Sequence, residues 1–213
     1  MRKMSVKKVA IMAAAVSALT GTVCMAGGKI AGYVGGTRVG SQTSDFSDIG
    51  KLEKKMGVVV NAPEEFDNGY AFADASIADF DALDADGIKV GNESELDIMY
   101  EKDGKRLNYS VKKGATVLSD AELAGAQVIE QDGVTYYYMQ NDYLFLPPNE
   151  EPTAEEVAAQ DAGTLFISYG SDEREEQTSY SLWWNVDGQG YSLLGFDLDL
   201  SAQEMMEMAA QIK

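Results

Sequence analysis

Three Asp-Gly pairs, each between two stretches of alternating apolar and polar residues, constrain the fold of this chain more than any other feature. They are Asp103-Gly104, Asp132-Gly133 and Asp187-Gly188. Asp-Gly suits the two-residue type I′ turn, which requires positive φ at both positions and whose twist matches that of the flanking strands. Each pair therefore predicts a β-hairpin, and a further turn is expected at Asp86-Gly87.

The stretches around these turns repeat with a period of two, as strands with one buried face do. The predicted strands cover 95–102, 106–112, 127–130, 134–140, 165–169, 180–186 and 191–196. Shorter extended runs are expected at 58–61 and 70–77. So many hairpin units in succession favour an antiparallel, meander-type sheet.

Helices are expected at three places. Apolar residues recur at helical spacing over 44–56, and Gly57 follows where a C-cap belongs. Capping boxes of the Ser/Thr-x-x-Glu kind start a short helix to about residue 162 and a last helix to residue 212. The pairs of this kind are Thr153 with Glu156, Ser201 with Glu204, and Ser119 with Glu122 for a possible single turn. The predicted fold class is α+β: an antiparallel sheet of hairpins with a C-terminal helix and one or two further short helices packed on it.

The N-terminus has the pattern of an export signal. Basic residues precede an uncharged segment, 9–28, with an apolar centre, and small residues follow. Cleavage after Ala26 would remove it, and an uncleaved signal anchor is the alternative. Positive residues stay on the cytoplasmic side of the membrane. The rest of the chain is therefore expected to be extracytoplasmic, either secreted or anchored by this segment. The predicted organisation is a signal at 1–26, a linker or loosely held first strand at 27–43, and one α+β domain at 44–213.

Composition excludes several kinds of site. The sequence contains no histidine and one cysteine, Cys24, so His-dependent nucleophiles, His-ligated metals and Cys-rich zinc sites are absent. The glycine-rich segment 27–40 lacks the spacing and the lysine of a phosphate-binding loop. With 35 acidic and 17 basic residues the formal charge is −18, which repels nucleic acid phosphates. We therefore expect no cofactor and no nucleic-acid partner, and a membrane contact only through an uncleaved N-terminal segment.

Two acidic patterns are candidates, one for a calcium site and one for a catalytic pair. Asp84, Asp86 and Glu93 fall on the third, fifth and twelfth positions of a calcium loop when Gly87 is taken as its glycine. Ala82 occupies the essential first position, so a solvated acidic turn is favoured and no metal site is predicted. Asp197 and Asp199 alternate after 191–196, and we interpret them as the polar face of a strand end rather than a catalytic pair.

Aromatic residues supply the candidate binding site. Alternation puts Trp183 on the face of its strand opposite Trp184, so one ring is expected in the core and the other on a second face. That second face is either covered or exposed as a binding platform. The candidate binding residues are Tyr137, Trp183 and Tyr143.

The layout resembles an uncharacterised domain of Gram-positive bacteria. The residues that carry the resemblance are Gly57-Val58-Val59-Val60 running to Pro63, Asn68-Gly69-Tyr70, Trp184, Asp187-Gly188, Tyr191-Ser192-Leu193 and the helix from Ser201 to Ile212. That domain occurs in exported proteins and at the extracytoplasmic end of anti-sigma-factor-like membrane proteins. The resemblance covers most of 57–213 and implies a sensing or interaction role outside the cell, with no catalytic residues.

Together these features predict an exported, non-catalytic module that binds a protein or an envelope component on the outer side. A carrier of an apolar ligand, held between the sheet and the last helix, is the alternative. A carboxylate-based hydrolase of cell-wall glycans is a third reading, less favoured because nothing in the sequence separates an acid from a nucleophile.

Overall fold

The alternating stretches form long strands in the computed structural model, which describes residues 24–25, 28–29, 32–84, 86–118, 123 and 125–212. Within these ranges the strands are β1 (Cys24–Met25), β2 (Gly28–Lys29), β3 (Gly32–Thr43), β4 (Ala71–Leu83), β5 (Lys89–Lys102), β6 (Lys105–Lys113), β7 (Gln127–Gln131), β8 (Val134–Leu146), β9 (Phe166–Tyr169), β10 (Glu175–Val186) and β11 (Gln189–Phe196). The helices are α1 (Ile49–Met56), preceded by the 3-10 turn Phe46–Asp48, α2 (Ala154–Asp161) and α3 (Ala202–Ala209).

The three Asp-Gly hairpins are confirmed. They join β5 to β6, β7 to β8 and β10 to β11, and φ is close to +50° at each Asp and to +80° at each Gly. Both positive values are those of a type I′ turn, which L residues other than Asp and Asn rarely adopt. The turn at Asp86-Gly87 joins β4 to β5, and φ at Gly87 is +75°.

The α+β fold class is confirmed in its broad form, with two corrections to its detail. The order of the main sheet is β3-β4-β5-β6-β11-β10-β8-β7. The strand β9 also pairs with β8, at residues 143–146, farther along β8 than the residues that pair with β7. The sheet is therefore two hairpin arrays joined through β6 and β11 rather than one continuous meander. The pair β8–β9 is parallel, because α2 carries the chain back along β8 as a parallel connection requires.

One face of the main sheet carries the hydrophobic core. Alternate residues of β4, β5, β6, β10 and β11 point to it, and α1, the segment 57–70 and α3 cover it. At its centre Trp184 stacks on Tyr191 at 5.5 Å and on Tyr109 at 6.4 Å between ring centres, while Tyr136 lies 5.7 Å away. Of the two tryptophans, Trp184 is thus the one that belongs to the core.

The helix boundaries agree closely with the sequence. Gly57 ends α1 in the left-handed conformation, with φ +73°, and Ile49 and Leu52 face the core. Both capping boxes form, at Thr153 before α2 and at Ser201 before α3. Two differences remain: α3 ends at Ala209, three residues early, and α2 buries none of its residues, so it connects strands rather than packing on the sheet.

Two extended runs were predicted wrongly as strands. The run 58–61 pairs with no strand among the described residues, since side chains satisfy its backbone: Val60 N donates to the Glu53 carboxylate at 2.7 Å, and its carbonyl accepts from Tyr109 Oη at 2.8 Å. At 197–200 the chain leaves the sheet, because Asp197 and Asp199 have φ of +51° and +54°. These two carboxylates therefore lie on no common strand face.

The segment 27–43, expected as a linker or a loosely held first strand, contributes the edge strand β3, which pairs with β4 and is irregular between Thr37 and Gln42. The predicted signal at 1–26 lies outside the described residues except for Cys24 and Met25, as does the turn predicted from Ser119 and Glu122. Among the helices that the structure describes, none is long and apolar enough to cross a membrane.

Candidate functional site

The face of the sheet opposite the core carries a continuous row of polar and aromatic residues, here called the second-face row. Strand register places one residue of each of six neighbouring strands side by side across the sheet. In order from β8 to β4 these are Tyr137, Trp183, Ser192, Ser110, Asp97 and Ser76. Aromatic rings therefore occupy one end of the row and hydrogen-bonding groups the other.

Two of the three predicted binding residues come together in this row. Tyr137 of β8 lies directly opposite Trp183 of β10, and both rings are partly buried. The indole Nε1 of Trp183 is buried and has no hydrogen-bond partner among the described residues. An aromatic side chain with an unused donor is suited to contact a ligand that carries both an apolar and a polar group.

Tyr143 is placed elsewhere. It lies on the same face as Tyr137 but three alternations farther along β8, and it is 2% exposed. Its ring packs 5.2 Å from Phe166, 5.4 Å from Phe196 and 5.8 Å from Phe145. The ring is thus part of a second, smaller hydrophobic cluster and does not extend the second-face row.

The polar end of the row is a hydrogen-bonded group that contains a carboxylate. The Oδ1 atom of Asp97 accepts from Ser110 Oγ at 2.5 Å and from Asn108 Nδ2 at 3.1 Å. Asn108 Nδ2 also lies 2.8 Å from Ser110 Oγ, and Asn108 is only 5% exposed. Its Oδ1 has no partner in the described part of the chain, so a buried acceptor is left unused, which normally costs stability.

Glu95 stands beside Asp97, two residues earlier on the same face of β5, and faces Lys112 across the β5–β6 pair. Burial, reinforced by the negative charge of Asp97, raises the pKa of Glu95 to about 8. Burial also raises the pKa of Asp97, while the bonds from Ser110 and Asn108 oppose that change. Burial and the repulsion between the two carboxylates favour a protonated Glu95, while the bonds from Ser110 and Asn108 favour the charged form of Asp97.

Neither Glu95 nor Asp97 carries a sequence signal that predicts a site residue. Their alternation with Leu96 and Ile98 was visible and placed them on the face away from the core. What it did not indicate is that β4 and β6 flank them closely enough to perturb their ionisation. That depends on strand order, since Lys112 and Ser110 reach them only across the β5–β6 register.

The candidate calcium ligands form separate contacts in the structure. The carboxylate of Asp84 accepts from the backbone of Asp86 at 3.0 Å and of Ile88 at 2.8 Å, and so closes the β4–β5 turn. Glu93 lies inside β5 opposite Phe80 and is paired with Lys112. No three Asp, Glu or Cys side chains converge as metal ligands within the described ranges.

Chemically, the second-face row offers aromatic rings, an indole N–H and an amide oxygen without partners among the described residues, and two carboxyl groups whose pKa values are raised. Such a set suits recognition of a partner with hydroxyl or amide groups next to an apolar surface. Comparison with protein family models, with curated proteins and with solved structures finds no match for this chain.

Proposed function

We propose that this protein is an exported, non-catalytic module that binds a protein or an envelope component outside the cell through the second-face row. The observation that carries the proposal is the opposed pair of Tyr137 and Trp183, whose buried indole N–H has no partner. Tyr and Trp contribute disproportionately to binding surfaces because their large rings combine apolar area with one polar group.

Charge and the N-terminal pattern support the same proposal. A formal charge of −18 disfavours polyanionic partners and favours neutral or basic ones. The basic and then apolar start of the sequence supports export, and the resemblance to an extracytoplasmic domain agrees with it.

The test compares binding of the full-length chain and two variants to two preparations from its native host, purified cell-wall sacculi and envelope membranes. We expect Trp183→Ala to weaken co-sedimentation with one of them about tenfold or more. Tyr169→Ala is the matched control, because Tyr169 is an exposed aromatic, 53% accessible, on β9 outside the row. Equal binding by both variants, or no binding by the native chain to either preparation, would contradict the proposal.

A second candidate function, hydrolysis of cell-wall glycans, is favoured by one observation. Glu95 with its raised pKa lies two residues from Asp97, whose charged form is favoured by the bonds from Ser110 and Asn108, and glycosidases use two carboxyl groups in different environments as acid and as nucleophile or base. Glycan release from sacculi by the native chain, abolished in Glu95→Gln with the fold intact, would place this function first. The apolar-ligand carrier receives no such support, since Leu198, Met205 and Met208 fill the space between the sheet and α3.

A further inference from the structure

A cavity of about 380 Å³ opens at the end of the sheet where β5 begins and β6 ends, beside the last turn of α1. Four basic residues line it, Arg38, Lys55, Lys112 and Lys113. They come from the irregular part of β3, from α1 and from the end of β6, so the fold and not the local sequence gathers them. The cavity, here called the basic pocket, is of a size that holds a small ligand.

Two of these cations have no carboxylate partner in the part of the chain that the structure describes. Lys55 Nζ donates to the carbonyl of Gly40 at 2.8 Å and lies 3.5 Å from Ser41 Oγ, both uncharged groups. The side chain of Lys113 forms no hydrogen bond or ion pair with the described residues, and its Nζ lies 3.8 Å from the position that a Cβ on Gly57 would take. That places it near the negative end of the α1 dipole, which orders the lysine without neutralising it.

The other two cations are paired and fixed. The guanidinium of Arg38 bonds to Asp79 at 2.7 Å and lies 3.3 Å from Ser94 Oγ, and this pairing lowers the pKa of Asp79 to about 2. Lys112 lies 3.4 Å from Glu93. With both carboxylates counted, positive side chains around the pocket exceed negative ones by two.

This surplus stands out because acidic residues outnumber basic ones by 35 to 17 in the whole sequence. In such a chain a lysine meets a carboxylate readily, and most described basic residues do so. Two lysines without a carboxylate partner among the described residues leave uncompensated positive charge around the cavity, which favours an anion in it. A bound anion with two charges would balance them.

We propose that the basic pocket binds a small dianion of the phosphate class. A phosphate group carries close to two negative charges at neutral pH, which equals the surplus, and its oxygens accept from several donors at once. Lys55 and Lys113 supply the unpaired charge, and the Asn92 amide in the wall of the pocket supplies a neutral donor. The site is separate from the second-face row and does not depend on the function proposed for it.

Calorimetric titration of the full-length chain with inorganic phosphate at constant ionic strength tests the proposal. We expect saturable binding with a dissociation constant in the millimolar range or tighter, weakened at least about tenfold in Lys55→Gln/Lys113→Gln. The matched control is Lys51→Gln/Lys54→Gln, which removes the same charge at two α1 residues that do not line the pocket. It should bind phosphate within about twofold of the native chain.

A second variant separates binding from folding. Asn92→Asp adds a negative charge to the pocket and removes no lysine, so it should also abolish binding while the thermal midpoint is kept. A titration with succinate, a dicarboxylate, distinguishes the phosphate class from dianions in general. Absence of saturable binding by the native chain, equal loss in the control variant, or tighter binding of succinate than of phosphate would each overturn the proposal.

Discussion

Tyr137 and Trp183 face each other directly in the register of β8 and β10, on the side of the sheet turned away from the hydrophobic core. The next residue, Trp184, points to the other side and packs against both Tyr109 and Tyr191. Successive residues of one strand thus divide the two tryptophans between a candidate binding surface and the core. Identical substitutions at the two positions should therefore have different consequences.

Trp184→Ala should lower the free energy of unfolding by about 3–5 kcal/mol, because the ring is 4% exposed and its removal leaves a large cavity. Trp183→Ala should cost less than about 2 kcal/mol, since the ring is partly exposed and its loss also removes a buried donor without a partner. Urea unfolding of the two full-length variants measures both values. Equal losses would show that the two faces are not distinct in packing.

Glu95→Gln should change how stability depends on pH. The folded pKa of about 8 exceeds the ordinary value of 4.5, so unfolding releases a proton between these two pH values and stability falls as pH rises. Over that window the native chain should lose up to about 5 kcal/mol. The variant should lose the part of this slope that is due to Glu95, and above pH 8 it should melt at a higher temperature than the native chain.

Thermal midpoints recorded from pH 5 to pH 9 check this expectation. Glu101→Gln serves as the control, because Glu101 is an exposed carboxyl of the same strand. It should retain the slope of the native chain. A native chain whose midpoint is flat or rises over this range would contradict the raised pKa.

Gly195→Ala should destabilise the fold by about 1–3 kcal/mol, because the added methyl has no room. A Cβ at Gly195 would stand 2.5 Å from the carbonyl oxygen of Arg106 and 2.7 Å from Leu198 Cδ1. Gly36→Ala, where nothing lies within 4 Å of the new methyl, should change stability by less than about 0.5 kcal/mol. Chemical denaturation distinguishes the two, and a neutral Gly195→Ala would mean that β11 does not approach β6 this closely.

The two capping boxes should differ in what they contribute to global stability. Ser201→Ala should cost about 1 kcal/mol, because α3 places Met205 and Met208 in the core and cannot fray without exposing them. Thr153→Ala should have a smaller effect on global unfolding, since α2 buries nothing and can open locally. Hydrogen exchange should detect the second change as faster exchange confined to α2. A loss at Thr153 as large as at Ser201 would count against this reading.

Local signals predicted most of the elements. Asp-Gly at three turns, the capping boxes at Thr153 and Ser201, and Gly57 at the end of α1 act within a few residues, so they are visible without knowledge of the fold. Where the prediction failed, side chains outside the segment take the backbone hydrogen bonds that a neighbouring strand would have made. The run 58–61 has strand-forming residues, but Glu53 and Tyr109 bind its backbone, and their positions follow from packing.

The candidate site was predictable only in part. Alternation along one strand separates Trp183 from Trp184 and predicts two faces, which the structure has. That Tyr137 lies opposite Trp183, while Tyr143 joins a separate cluster with Phe166, depends on how β8 pairs with β10 and β9. Pairing between strands far apart in sequence has no local signature.

The sequence by itself determined the hairpins, the helix ends, the division of each strand into two faces and the strongly acidic charge, because each follows from short-range backbone preference or from composition. Tertiary structure decided the strand order, the parallel pair β8–β9, the raised pKa values of Glu95 and Asp97, and the placement of Lys55 and Lys113 around one pocket. The physical reason is that ionisation and ligand binding respond to charges and donors within a few ångströms in space. Those neighbours are fixed only once β6 lies between β5 and β11.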